Sequence, residues 1–230
     1  MALRKSWTWV GAFGPDAMLC VAHAKVGVLG RSWWAVWDGE RLHEGTRGVS
    51  VTPRGATVRD GDTRLELTLT HGRAIEVTTG PAWTRKTPLQ VTGTAVVGGR
   101  TIGIGSPGLL DESAGRHARR TAWHWSAGAG ISEAGADVVW NVVAGLHDGE
   151  RSERTVWVDG EPHPVGALPF DGLDGVGDLR FSAQAVRAKR ENYLVIASDY
   201  EQPFGTFSGS LPIAGPLHGW GVMERHTALW

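Results

Sequence analysis

An all-β chain of many short antiparallel strands is what this sequence predicts, and three observations predict it. Glycine is abundant, at 33 of 230 residues. Its usual share is roughly 7%, so the chain is suited to tight and frequent turns. Twelve tryptophans accompany only two tyrosines, and tryptophan with valine fits the pleated, half-buried surface of a sheet. Helical periodicity is nearly absent. The best helical window, 113–121, contains Gly115 and has no coherent apolar stripe.

Strand-like segments recur about every 8–14 residues, separated by Gly, Pro or Asp. Segments 6–13 and 17–28 flank Gly14-Pro15-Asp16, and 31–37 runs into a turn at Asp38-Gly39-Glu40. Segments 48–52 and 56–59 flank Pro53-Arg54-Gly55. In 63–70, Leu65, Leu67 and Leu69 alternate with Arg64, Glu66 and Thr68, the pattern of a sheet with one solvated face. His71-Gly72-Arg73 is expected to turn that strand back as a hairpin with 74–79. Strands at 89–97 and 101–105 flank Gly98-Gly99-Arg100, and 106–117 reads as the longest irregular stretch. Strands follow at 119–127, 137–145, 154–158, 179–187, 192–198, 205–213 and 217–230, with turn pairs at Asp148-Gly149, Asp159-Gly160, Asp171-Gly172 and Asp174-Gly175. The pattern amounts to about 14 to 16 strands. So many strands must dispose of their edges, which closed barrels do best. Two packed barrels or half-barrels are expected, residues 1–105 and 106–230, with the break inside 98–111.

Lys+Arg is 23 and Asp+Glu is 24, for a net charge of -1. There is no long basic run, so neither the footprint of a nucleic-acid binder nor a polybasic membrane patch is expected. A single cysteine, Cys20, excludes an intramolecular disulfide and fits a cytoplasmic setting. The first residues are too broken for a signal-peptide apolar region, and no apolar run is long enough for a membrane span. Phosphate-binding loops, dinucleotide fingerprints and nucleophile elbows are all missing. No cofactor and no metal site are expected.

Three clusters carry candidate chemistry. In a strand at Arg119–Trp125, Trp123 and Trp125 share one face and His124 takes the other. Either the tryptophans form an apolar wall or His124 offers a proton switch near neutral pH. Arg119 and Arg120 open the same strand as candidate ligand contacts. In Trp140-Asn141-Val142-Val143, the Asn141 amide lies between valines and needs partners, a neighbouring side chain or a ligand. Asp148 and Glu153 read as solvated loop residues. The last strand puts Trp220, Val222, Glu224, His226 and Ala228 on one face, with Glu224 and His226 about 6–7 Å apart. In an apolar pocket such a carboxyl rises in pKa and suits general acid–base work. A buried bridge from Glu224 to the Arg119–Arg120 strand is the structural alternative. Asp199 and Tyr200 stand at a strand end, where barrel rims admit ligands.

Several stretches resemble the domain-of-unknown-function family 2804, placed with calycin-like barrels. They are residues 7–28 with Ser32-Trp33-Trp34-Ala35-Val36-Trp37, Leu110-Asp111-Glu112-Ser113, Arg119 through Gly128, Trp140-Asn141-Val142-Val143, Glu153 to Gly160, and Gly221-Val222-Met223-Glu224-Arg225-His226. Comparable members are longer at the N-terminus, which leaves an N-terminal covering arm in question. The wider group is similar to carotenoid hydratases of the hydroxyneurosporene synthase type and to lipocalin-like cyclases. That resemblance implies two lipocalin-like barrels and cofactor-free chemistry on apolar substrates. Three functions follow as expectations. One is binding of a bulky, mostly apolar small molecule in a cavity walled by Trp123, Trp125, Trp140 and Trp220. Another is a cofactor-independent lyase or isomerase using Glu224 and His226 with Asn141 and His124. The third is a structural β-protein without a ligand.

Overall fold

The computed structural model describes residues 4–116, 118–146, 152–193 and 196–229. The turn expected at Asp148-Gly149 lies outside them. The first sheet is built from β1 (Arg4–Phe13), β2 (Met18–Val26), β3 (Leu29–Trp37), β4 (Leu42–Gly45), β5 (Val49–Thr52), β6 (Gly55–Asp60), β7 (Thr63–His71), β8 (Ile75–Thr79), β9 (Ala82–Val97) and β10 (Arg100–Arg116). The second is built from β11 (Arg120–Ser132), β12 (Asp137–Ala144), β13 (Thr155–Val158), β14 (Glu161–Pro164), β15 (Phe170–Asp171), β16 (Gly175–Val176), β17 (Asp178–Tyr193), β18 (Ile196–Leu211) and β19 (Gly215–Leu229). All pairings are antiparallel. The spatial orders are β4-β3-β2-β1-β10-β9-β7-β6-β5, with β8 also on β9, and β14-β13-β12-β11-β19-β18-β17-β16-β15. No helix is present among the described residues, so none there is long and apolar enough to cross a membrane.

Alternation sorts each strand between two cores. In β1, Val10 and Ala12 face the first sheet's own core with Leu19, Val21, Val36, Leu65, Leu67 and Val91. Trp9 and Phe13 face the other way, toward the second sheet. In β12, Val138, Trp140 and Val142 join Leu179, Phe207 and Met223 in the second sheet's own core. Val143 faces the first sheet. Each sheet is thus a half-barrel curled around its own apolar filling, and the two pack through the faces opposite those fillings.

Three segment expectations change. Residues 106–116 are not irregular. They continue β10, in register with β9 and then with β1. The change from first to second sheet falls between Arg116 and Arg120, so residue 105, the expected boundary, sits inside β10. Strands crowd along this part of β10. A Cβ on Gly108 would lie 2.1 Å from the Gly11 carbonyl oxygen. The hairpin expected between β7 and β8 does not form either. Both strands pair with the long β9, β7 along Leu89–Val96 and β8 along Ala82–Lys86. Gly72 N–H donates to the Pro88 carbonyl at 2.8 Å, so the link runs along β9 rather than reversing.

Gly108→Val forces a side chain into a backbone contact. It is expected to lower stability by roughly 2 kcal/mol or more in urea denaturation, the range of overpacking in tight sites. Gly103 has open space at its Cβ position, and Gly103→Ala should change stability by under about 0.5 kcal/mol.

Candidate functional site

The layer between the sheets is closed at one end and hollow at the other. At the closed end Phe13, Met18, Cys20 and Leu109 meet Ala127, Ala129, Phe204 and Val222. Trp9 and Trp125 meet edge to face with ring centroids 5.0 Å apart. Beyond that contact lies a cavity of about 470 Å³, walled by both sheets.

Strand register builds the walls, because residues directly opposite one another share a face. In the first sheet Trp33, Ala22, Trp9, Asp111 and Lys86 form one row across β3, β2, β1, β10 and β9. In the second, Val143, Trp125 and Glu224 form a row across β12, β11 and β19. Trp123, His226, Tyr200 and Lys189 form the next row, which reaches β18 and β17. Trp7, Trp9, Trp33, Trp123 and Trp125 line the cavity along with Ala24, Val26, Leu29, Val143 and Leu146.

The polar groups divide by partner. Lys86 is buried and ion-paired with Asp111 beside it and with Glu153 at 3.2 Å. Burial disfavours its charge, but the two carboxylates outweigh that and hold its pKa above the usual lysine value. Asp111 also accepts from Trp7 Nε1 at 3.3 Å. Its pKa is raised by burial and by Glu153, with Lys86 opposing. Glu224 is 8% exposed and its hydrogen-bond partners are neutral. Its Oε1 accepts from Trp123 Nε1 and its Oε2 from Gln202 Nε2, each at 2.8 Å. Burial, with a smaller push from Asp111, lifts its pKa to about 7 against the pull of those donors and Arg187. The next residue on that face, His226, is driven by burial to about 4, so it is neutral at pH 7. Its Nε2 lies 2.8 Å from Ser198 Oγ, and its ring packs on Trp123. Tyr200 is buried and its pKa is raised well above the usual value by burial and by Glu224. Arg187 lies over the Tyr200 ring at 5.1 Å and favours the phenolate. Among the described residues the Tyr200 hydroxyl nonetheless has no partner in hydrogen-bond geometry.

The sequence-derived candidates separate accordingly. Glu224, His226, Trp123 and Trp125 come together on the cavity wall. They do so on the face toward the other sheet, not inside a barrel as the terminal strand suggested. His124 is not with them: strand alternation turns it away, and it packs against Phe170 at 5.6 Å. Partial burial and Arg225 lower its pKa. Trp140 is likewise absent from the cavity, because it fills the second sheet's own core with Nε1 on Ser126 Oγ. Trp220 is four residues from Glu224 on the same face, away from the cavity lining. Arg119 and Arg120 are exposed and do not bridge to Glu224. Asn141 is fully buried, accepting from Trp125 Nε1 at 2.8 Å and donating to the Glu153 carbonyl at 2.9 Å. It positions the wall rather than lining it.

Glu153, read from sequence as a solvated loop residue, is 3% exposed. Lys86, Gln202 and Arg187 are absent from the sequence-derived candidates, and Asp111 stood out only within the family-like stretch Leu110-Asp111-Glu112-Ser113. Each stands close to another charged residue, Arg85, Glu112, Glu201 and Lys189 respectively for Lys86, Asp111, Gln202 and Arg187, so its own charge or polarity did not set it apart. Among the described residues no group of three or more His, Cys, Asp or Glu is arranged to hold a metal ion.

Comparison places these features among known proteins. The sequence profile described as Domain of unknown function (DUF2804) matches residues 82–230. No functionally curated protein matches the sequence. Three of the solved structures that share the fold are these. A putative AttH from Nitrosomonas europaea has a TM-score of 0.54 at 14% identity, covering 96% of this chain and 92% of that one. Kievitone hydratase from Nectria haematococca has a TM-score of 0.53 at 12% identity, covering 96% and 88%. CghA with Sch210972 has a TM-score of 0.51 at 13% identity, covering 99% and 89%.

Glu224 gives the site a pH signature. In the folded protein it keeps its proton to about pH 7, whereas the unfolded chain releases it near 4.5. The folded state binds more protons in that window, so this group's contribution to stability falls as pH rises through it. His226 works oppositely, because the unfolded chain binds more protons between about 4 and 6.5. Glu224→Gln removes the first effect alone. Relative to the unmodified protein, its stability should rise by about 2–3 kcal/mol from pH 4.5 to pH 8. Urea denaturation at several pH values checks this; a difference independent of pH would mean the carboxyl titrates normally.

Proposed function

The chain belongs to the DUF2804 family, and from that premise we propose that it takes a bulky, mostly apolar small molecule into the inter-sheet cavity. There Glu224 moves a proton on it, as a cofactor-independent hydratase, cyclase or isomerase. The observation that carries the reading is one carboxyl, buried in a tryptophan-lined cavity and hydrogen-bonded only by neutral donors, with a pKa near 7. General acid–base groups work best when their pKa lies near the operating pH. Half-protonated at neutral pH, Glu224 can give a proton to one carbon of a polarised double bond and, as carboxylate, recover one. Recovery from water that adds to the neighbouring carbon is hydration. Recovery from an adjacent C–H is isomerisation. His226, neutral and held by Ser198, lines the wall beside it, and the tryptophan faces suit a cationic or electron-poor centre. That a fold neighbour is named a hydratase supports the reaction class by analogy of fold only. A cytoplasmic setting, with Cys20 kept as a buried thiol, belongs to the same reading.

The second reading, a carrier with no chemistry, draws on the apolar share of the lining. Incubation with a library of terpenoid, polyketide and lipid compounds, followed by mass spectrometry of retained and transformed species, separates the two. Glu224→Gln is expected to keep binding, read by tryptophan fluorescence, and to lose turnover by roughly 10²-fold or more. Ligands retained unchanged by both proteins would identify a carrier.

A further inference from the structure

The cavity opens at one end of the two sheets. Its exposed lining residues, Leu29, Gly30, Arg31 and Lys189, all belong to that end. The two rims meet there: Arg31 in β3 is paired through both guanidinium nitrogens with Glu191 in β17, at 2.6 Å for Nη2.

Register brings an uneven set of charges to this rim. From the first sheet come Arg4, Arg116 opposite it, and Lys25 two positions along. Arg119 and Arg120 follow at the crossing into the second sheet, and Lys189 and Arg190 lie near the C-terminal end of β17. The acids in these rows among the described residues are Glu191 and Asp199, and both are already paired with Arg31, Lys189 or Arg190. Arg4, Lys25, Arg116, Arg119 and Arg120 are exposed and have no acidic partner among the described residues. Yet the chain's net charge is -1. The balancing acids include Asp16, Asp38, Glu133, Asp137 and Asp159, at the opposite ends of these same strands. No linear basic run exists because the patch is collected from separated strand ends.

An apolar tip stands beside the cations. The β2–β3 hairpin turns at Gly27, with φ of 60°, and Val28. Val28 is 99% exposed and Leu29 63%. A turn at a cavity mouth needs no apolar side chains in water, whereas a bilayer interface favours them beside cations.

We propose that this rim docks on an anionic lipid surface, with Val28 and Leu29 in the headgroup layer and Arg4, Lys25, Arg116, Arg119 and Arg120 over the lipid phosphates. The mouth then faces the bilayer. That an apolar substrate enters directly from it rests on the cavity reading above; the docking itself does not.

The test is co-sedimentation of the full chain, without substrate, with vesicles of neutral phosphatidylcholine or of phosphatidylcholine with about 30% phosphatidylglycerol. Binding to the anionic vesicles should exceed neutral binding by roughly tenfold or more and should fall steeply in high salt. Arg119→Glu with Arg120→Glu should reduce it on the order of tenfold, and Val28→Glu should reduce it as well. These positions are exposed and outside the cavity lining, and circular dichroism checks their folding. Glu224→Gln should bind vesicles like the unmodified protein, so loss of the cavity chemistry and loss of docking are read separately. Equal binding to neutral and anionic vesicles would overturn the proposal. Binding to soluble polyglutamate but not to vesicles would overturn it in favour of an acidic protein partner.

Discussion

The edge-to-face contact between Trp9 and Trp125 is the interaction on which the rest of the arrangement depends. Each half-barrel fills its own core and has no need of the other to do so. What joins them is a third apolar layer, and this contact marks where that layer stops being solid. On one side alanines, Cys20 and Val222 let the sheets approach closely. On the other, five indoles hold the walls apart. The Trp125 ring is fixed in turn, because its N–H is held by Asn141, whose amide also holds the Glu153 carbonyl. Glu153 then reaches Lys86 on the opposite sheet. One chain of contacts, from Trp9 through Trp125, Asn141 and Glu153 to Lys86 and Asp111, therefore sets both the cavity's shape and its charge.

That charge is distributed by a simple competition. Leaving an ion unpaired in such a site costs several kcal/mol. Lys86, Asp111 and Glu153 avoid this by pairing. Among the described residues Glu224 has only an indole and an amide as hydrogen-bond partners. Keeping it protonated at pH 7 costs about 3 kcal/mol relative to an ordinary carboxyl, which is comparable to the cost of burying it charged. Its pKa therefore settles near neutrality. The unpaired Gln202 Oε1 offers a second orientation of that amide, in which it accepts a hydrogen bond from the Glu224 O–H once Glu224 is protonated.

Much of the fold was legible because side-chain alternation is local. Leu65, Leu67 and Leu69, and the face carrying Glu224 and His226, were sorted correctly from spacing alone. What spacing could not give was which of two buried environments a face meets. In a half-barrel packed against another, both faces of β11, β12 and β19 are largely covered. Trp140 and Trp125 look alike in sequence, yet one fills a core and the other walls the cavity. His124 was separated from its tryptophan neighbours by alternation, but only the packing showed which side was the cavity. Lys86 and Asp111 were harder still, because their meaning lies in a cross-strand register 25 residues apart. The basic rim was invisible for the same reason, since Arg4, Lys25 and Arg116 become neighbours only through pairing.

Fold and cavity converge on the protonation state of one carboxyl. The most direct measurement is a carbon-detected NMR titration of the side-chain carboxyls, with the Glu224 resonance assigned by its absence in Glu224→Gln. A midpoint near pH 7 is the predicted result. A midpoint near 4.5, the ordinary glutamate value, would mean that Glu224 is solvated or fully paired, and would contradict the account.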